Sequence, residues 1–112
     1  MRRADRADPP RTPDGEVVRY LSVHRGAEER VFRTLSYFDG VNMAKRATAP
    51  ALFSTALLDQ VCPPSTVYAA RNHYGSHAGG VEASISVYAH NEHEGGAAYQ
   101  WPEQAAFLAR LV

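Results

Sequence analysis

The apolar run Ala51-Leu52-Phe53-Ser54-Thr55-Ala56-Leu57-Leu58, which stops at Asp59, constrains the fold more than any other stretch. It is short and lacks polar alternation, the pattern of a strand buried on both faces in a parallel sheet covered by helices. Pro63 and Pro64 follow and open a helix over Ser65–His73, since proline is tolerated in a first helical turn. After a loop containing Gly75, Gly79 and Gly80, the residues Ala83, Ile85 and Val87 alternate with Ser84, Ser86 and Tyr88, which is strand period. Strand, helix and strand in this order predict a right-handed βαβ unit and an α/β fold with parallel strands.

The flanks read as helices. Val17, Val18, Tyr20 and Leu21 recur at helical spacing from Glu16, with Gly26 placed to end the helix. A second helix fits Ala27–Tyr37, its early Glu28 and Glu29 suiting the positive end of the helix dipole. Asp39 is placed to cap a short turn through Asn42 and Ala44. A last helix spans Pro102–Leu111. Met1 to Gly15 mix Arg, Asp and Pro with no hydrophobic period and read as a disordered or non-native tail, leaving residues 16–112 as the folded segment. Two parallel strands make a poor free-standing domain, because both edges remain unpaired, so the segment reads as the end of a larger, here incomplete, sheet.

Composition removes several classes of function. The 112 residues, 45% apolar and 10% aromatic, suit one globular domain. Twelve basic residues balance twelve acidic ones without a basic cluster, so no nucleic-acid partner is expected. The single cysteine, Cys62, forms no internal disulfide and favours a reducing cytoplasm. The N-terminus shows no signal peptide, and no run reaches the roughly 20 apolar residues that cross a bilayer, so a membrane partner is not expected.

Ligands of open α/β sheets bind beyond the C-terminal ends of the strands. Asp59 follows the first predicted strand by one residue, and His93 lies a few residues past the second. Asp then His, each in a loop after a successive strand, is the second half of the order Ser…Asp…His used by α/β-hydrolases. In that chemistry the histidine takes the serine proton and returns it to the leaving group, while the carboxylate fixes the tautomer and steadies the imidazolium.

Longer segments carry a resemblance. Ser36-Tyr37-Phe38-Asp39 with Asn42, Leu58-Asp59-Gln60-Val61-Cys62-Pro63-Pro64-Ser65-Thr66-Val67-Tyr68-Ala69-Ala70, Asn72-His73, and Asn91-Glu92-His93-Glu94-Gly95-Gly96 follow in order from Glu16 onward. Together they resemble the acetyl xylan esterase and cephalosporin C deacetylase family, carbohydrate esterase family seven. The resemblance implies the C-terminal part of an α/β-hydrolase fold, with Asp59 as triad acid and His93 as triad base. It implies a serine esterase without a cofactor that removes acetyl groups from sugars or cephalosporin-type esters, and a homo-oligomer, often a ring-shaped hexamer.

The nucleophile of such an enzyme sits in a Gly-x-Ser-x-Gly elbow, and these residues contain none. Gly75-Ser76-His77-Ala78-Gly79 has the wrong spacing and follows a helix rather than a strand. The expectation is therefore a chain with the acid and base of a deacetylase but not its serine; the alternative is an inactive truncated remnant or a docking fragment.

Other residues take plainer readings. His73 with His77, and His90 with His93, have spacings that zinc sites use, but Gly75 interrupts the first pair and no His-Glu-x-x-His motif is present, so no metal is expected. Cys62 reads as a small buried residue rather than a nucleophile, because Pro63-Pro64 leave no helix amide to lower its pKa. Tyr99 and Trp101 read as packing for the last helix, and Glu92 and Glu94 as a solvated rim.

Overall fold

A computed structural model describes residues 13–112. Most of the predicted tail, residues 1–12, lies outside the described residues. The chain divides into two compact units, one ending at Tyr37 and one beginning at Phe38.

In the first unit, α1 spans Pro13–Val23 and begins earlier than the Glu16 expected, with Pro13 at its first position, where the missing N–H costs nothing. It ends before Gly26. The His24 N–H still reaches the Tyr20 carbonyl at 2.9 Å, and a single 3-10 turn, Arg25–Ala27, follows. The helix α2, Glu28–Leu35, carries Glu28 and Glu29 in its first turn as expected. It stops two residues short of Tyr37: the Ser36 hydroxyl donates to the Arg33 carbonyl at 2.7 Å, and the Tyr37 N–H turns back to Thr34 at 3.2 Å. A serine hydroxyl offering the backbone a local partner is a common reason for a helix to end.

The second unit holds α3 (Gly40–Ala44), β1 (Ala51–Ala56), α4 (Pro64–His73), β2 (Ala83–Tyr88) and α5 (Gln100–Leu111). Asp39 caps α3, its Oδ1 accepting the Val41 N–H at 2.9 Å. The strands pair in parallel with unbroken register from Ala51↔Ala83 to Ala56↔Tyr88, and α4 forms the crossover. β1 is shorter than predicted, because Leu57 and Leu58 already turn away.

The expected burial of β1 on both faces is met only at its end. Thr55 and Ala56 are buried while Ala51 to Ser54 are half-buried, and Ala56 is the only buried apolar side chain among the described residues. A two-stranded sheet offers its helices too narrow a platform to close over both faces. The alternation of residue types in β2 is not matched by burial: Ala83 to Ser86 are all half-buried, and Val87 is 46% exposed.

The helix α5 runs back along β2 and is tied to it at both ends. Tyr88 donates its hydroxyl to Gln100 Oε1 at 2.7 Å, and Arg110 makes two bonds to the Glu82 carboxylate, at 2.6 and 3.2 Å. The match is geometric: the extended stretch from Glu82, just before β2, to Tyr88 covers roughly 20 Å and α5 from Gln100 to Arg110 roughly 15 Å, a difference the long Arg and Glu side chains span. The Arg71 Nε–H donates to the Ala83 carbonyl at 3.0 Å and fixes the end of α4 to the start of β2.

Candidate active site

Asp59 and His93 meet because sheet pairing continues past the strands. The Leu57 N–H donates to the Tyr88 carbonyl at 3.0 Å, and the Leu58 N–H to the Asn91 carbonyl at 3.1 Å. These bonds hold the loop after β1 beside the loop after β2. Asp59 is the third residue past β1, not the first, since the strand ends at Ala56.

At Asp59 the chain folds around the carboxylate. Oδ1 accepts the N–H groups of Val61 and Cys62, both at 2.8 Å. The amide of Cys62 is the largest influence holding the Asp59 carboxyl below its ordinary value of 3.8; it outweighs desolvation, which acts in the opposite direction, and is joined by His93 and the Val61 amide. The side chain is 10% exposed and ionised at neutral pH. The same turn overturns the expectation for Cys62: its backbone is spent on Asp59, and its side chain is exposed rather than buried.

His93 Nδ1 lies 3.1 Å from Asp59 Oδ2 and 3.3 Å from Oδ1. An ionised carboxylate can only accept, so Nδ1 carries the proton and Nε2 of the neutral ring is left as the base. The imidazole is 60% exposed. Such a ring can take a proton from a hydroxyl at Nε2 while its imidazolium is steadied by the carboxylate behind it.

The loop carrying His93 is braced internally. Glu94, read from sequence as a solvated rim, accepts the Asn91 Nδ2–H at 2.6 Å and the Glu92 N–H at 3.0 Å. The Asn91 bond is the main cause of its lowered pKa, opposed by burial and by the nearby Asp59 charge. Gly95 and Gly96 adopt φ values of +60° and +84°. At Gly96 a Cβ would sit 2.5 Å from the Tyr88 ring, so only glycine admits both the turn and the ring. A cleft of about 230 Å³ opens among Leu58, Gln60, Val61, Glu92 and His93. It falls below the roughly 300–1,000 Å³ of drug-sized ligand sites.

The other candidates lie apart. His73 ends α4, exposed, His77 lies in a 3-10 turn, and no group of three metal-binding side chains occurs among the described residues. Tyr99 and Trp101 are 80% and 71% exposed, so neither packs as expected. Sequence reasoning missed Glu94, Tyr88 and Gln100. Glu94 stood within the Asn91–Gly96 segment and Tyr88 at the end of the strand alternation, while Gln100 lay before the predicted helix start at Pro102 and begins α5.

Parallel strands joined by a helix, with a carboxylate–imidazole pair beyond their C-terminal ends, define a segment of an α/β-hydrolase-like fold. The sequence model of a family described as acetyl xylan esterase (AXE1) matches residues 1–111, and this chain belongs to that family. The match includes the first fifteen residues, which the motif resemblance did not cover. The chain is also similar to the solved acetyl xylan esterase from Paenibacillus sp. R4, at 41% identity and a TM-score of 0.62. The similarity covers 83% of this chain and 26% of that one, so the chain spans about a quarter of its relative's length. Among the described residues no helix is long and apolar enough to cross a membrane.

Proposed function

We propose that Asp59 and His93 are the acid and base of a serine deacetylase acting on acetylated carbohydrates or cephalosporin-type esters. The observation that carries this reading is the 3.1 Å contact between an ionised, amide-held carboxylate and the Nδ1 of an otherwise accessible imidazole. In the reaction His93 Nε2 takes the proton of a serine hydroxyl as the oxygen attacks the acetyl carbonyl, then gives it to the departing sugar alcohol. Water, activated by the same nitrogen, releases acetate. The cleft beside His93, lined by Leu58, Gln60, Val61 and Glu92, lies open to an ester brought to the imidazole. No Gly-x-Ser-x-Gly elbow occurs in the sequence, and with it the oxyanion donors of such a site are mostly absent. We further place the protein in a reducing cytoplasm, on its one cysteine, and in a homo-oligomer of the hexameric type.

The experiment grafts this chain in place of the matching quarter of the Paenibacillus enzyme. The chimera is expected to hydrolyse p-nitrophenyl acetate, and Asp59→Asn to lower kcat by roughly 10⁴, the cost of a lost triad carboxylate. An active chimera indifferent to Asp59→Asn and His93→Ala would reject the assignment. A second reading, a remnant or docking fragment without activity, is favoured by the missing Gly-x-Ser-x-Gly elbow. It predicts that the chain restores no activity to an esterase that lacks the matching segment.

A further inference from the structure

We propose that Tyr88 and Gln100 are positioning residues that hold His93 against Asp59, an inference that rests on reading those two residues as an acid–base pair. Tyr88 ends β2 and Gln100 begins α5, so they stand at the two feet of the loop that carries His93. The 2.7 Å bond from the Tyr88 hydroxyl to Gln100 Oε1 closes that loop at its base. Gln100 is only 7% exposed, which gives the bond weight, because a buried acceptor stripped of its donor bears its full desolvation cost.

Tyr88 reaches three parts of the site at once. Its hydroxyl holds α5, its ring lies where a side chain at Gly96 would be, and its carbonyl accepts the Leu57 N–H from the loop that leads to Asp59. The bond therefore sets where the His93 loop leaves the sheet relative to the Asp59 loop. The imidazole is bonded to Asp59 and the Tyr88 hydroxyl to Gln100, so both residues act on His93 through the loop.

The test follows the His93 Cε1–H signal of the labelled 112-residue chain by NMR between pH 2 and 7. Ionisation of Asp59 should add a step below pH 3.8, identified by its loss in Asp59→Asn. Tyr88→Phe, which keeps the ring and removes the donor, is expected to shrink that step at least twofold and move its midpoint up toward 3.8. The double variant Tyr88→Phe/Gln100→Leu removes both polar partners and is expected to recover at least half of the step, also if Tyr88→Phe alone unfolds the chain. An unchanged step in Tyr88→Phe overturns the proposal alone. So does an equal loss in Phe107→Ala, elsewhere on α5, which would mark plain support of the fold, or a double variant that recovers nothing. If Asp59→Asn removes no step, the acid–base pair fails, and the positioning role with it.

Discussion

The Leu58 amide donates to the Asn91 carbonyl at 3.1 Å, one residue before Asp59 on one side and two before His93 on the other. Through this bond, groups 34 positions apart in the chain meet as a carboxylate–imidazole pair. The remaining parts of the site, the amides of Val61 and Cys62 and the carboxylate of Glu94, tighten each loop around its own residue.

Gly96→Ala should be the most damaging change in the His93 loop. It adds a left-handed backbone penalty of about 1–2 kcal/mol to a collision with the Tyr88 ring. Gly95→Ala, with only the His93 carbonyl at 3.9 Å, should bear the backbone penalty alone. Ala97 already has φ +42°, so Ala97→Gly should stabilise. Urea midpoints should rank Ala97→Gly above wild type, then Gly95→Ala, then Gly96→Ala.

Acid should loosen the site through Asp59. Its folded pKa lies below the ordinary 3.8, so its contribution to stability is complete above that value and is lost as pH falls through the lower folded value. Glu82, lowered chiefly by its bond from Arg110, and Glu94 act in the same direction from 4.5. Urea midpoints measured between pH 2 and 7 should fall less steeply at the acid end for Asp59→Asn than for wild type. Parallel curves would show that Asp59 gains nothing from its partners.

Hydrogen exchange should alternate along β1. The Ala51 amide bonds to Glu82 and the Leu57 amide to Tyr88, so by the period of two those of Phe53 and Thr55 also face β2. The amides of Leu52, Ser54 and Ala56 face the open edge and should exchange faster. Uniform protection would mean that a further strand covers that edge.

Asp39→Ala should cost about 1 kcal/mol through the lost cap on α3. Helical circular dichroism and the urea midpoint both report it, and Asp39→Asn should recover most of the loss.

The 112-residue chain alone should hydrolyse p-nitrophenyl acetate no faster than its His93→Ala variant. With no Gly-x-Ser-x-Gly elbow in the sequence, only the residual catalysis of binding and polar groups is expected. A clear rate dependent on His93 would reveal a nucleophile outside the Gly-x-Ser-x-Gly pattern.

Much of this was written locally. The apolar run at Ala51, the proline pair before α4 and the alternation from Ala83 identify a parallel β–α–β unit, because strand and helix periods are properties of neighbouring residues. The Asp39 cap is local for the same reason. Asp59 and His93 could be singled out from their loops and motifs, but not their separation.

What tertiary structure alone decided depends on contacts between distant residues. It ended β1 at Ala56, left the strand half-buried and Cys62 exposed, and turned Glu94 from rim to brace. It also set Tyr88, at the end of an alternating strand, against Gly96 and Gln100. Sequence named the acid and the base as candidates; the bonds from Leu57 and Leu58 to the β2 side brought them within 3.1 Å, since only the paired strands hold both loops at one end of the sheet.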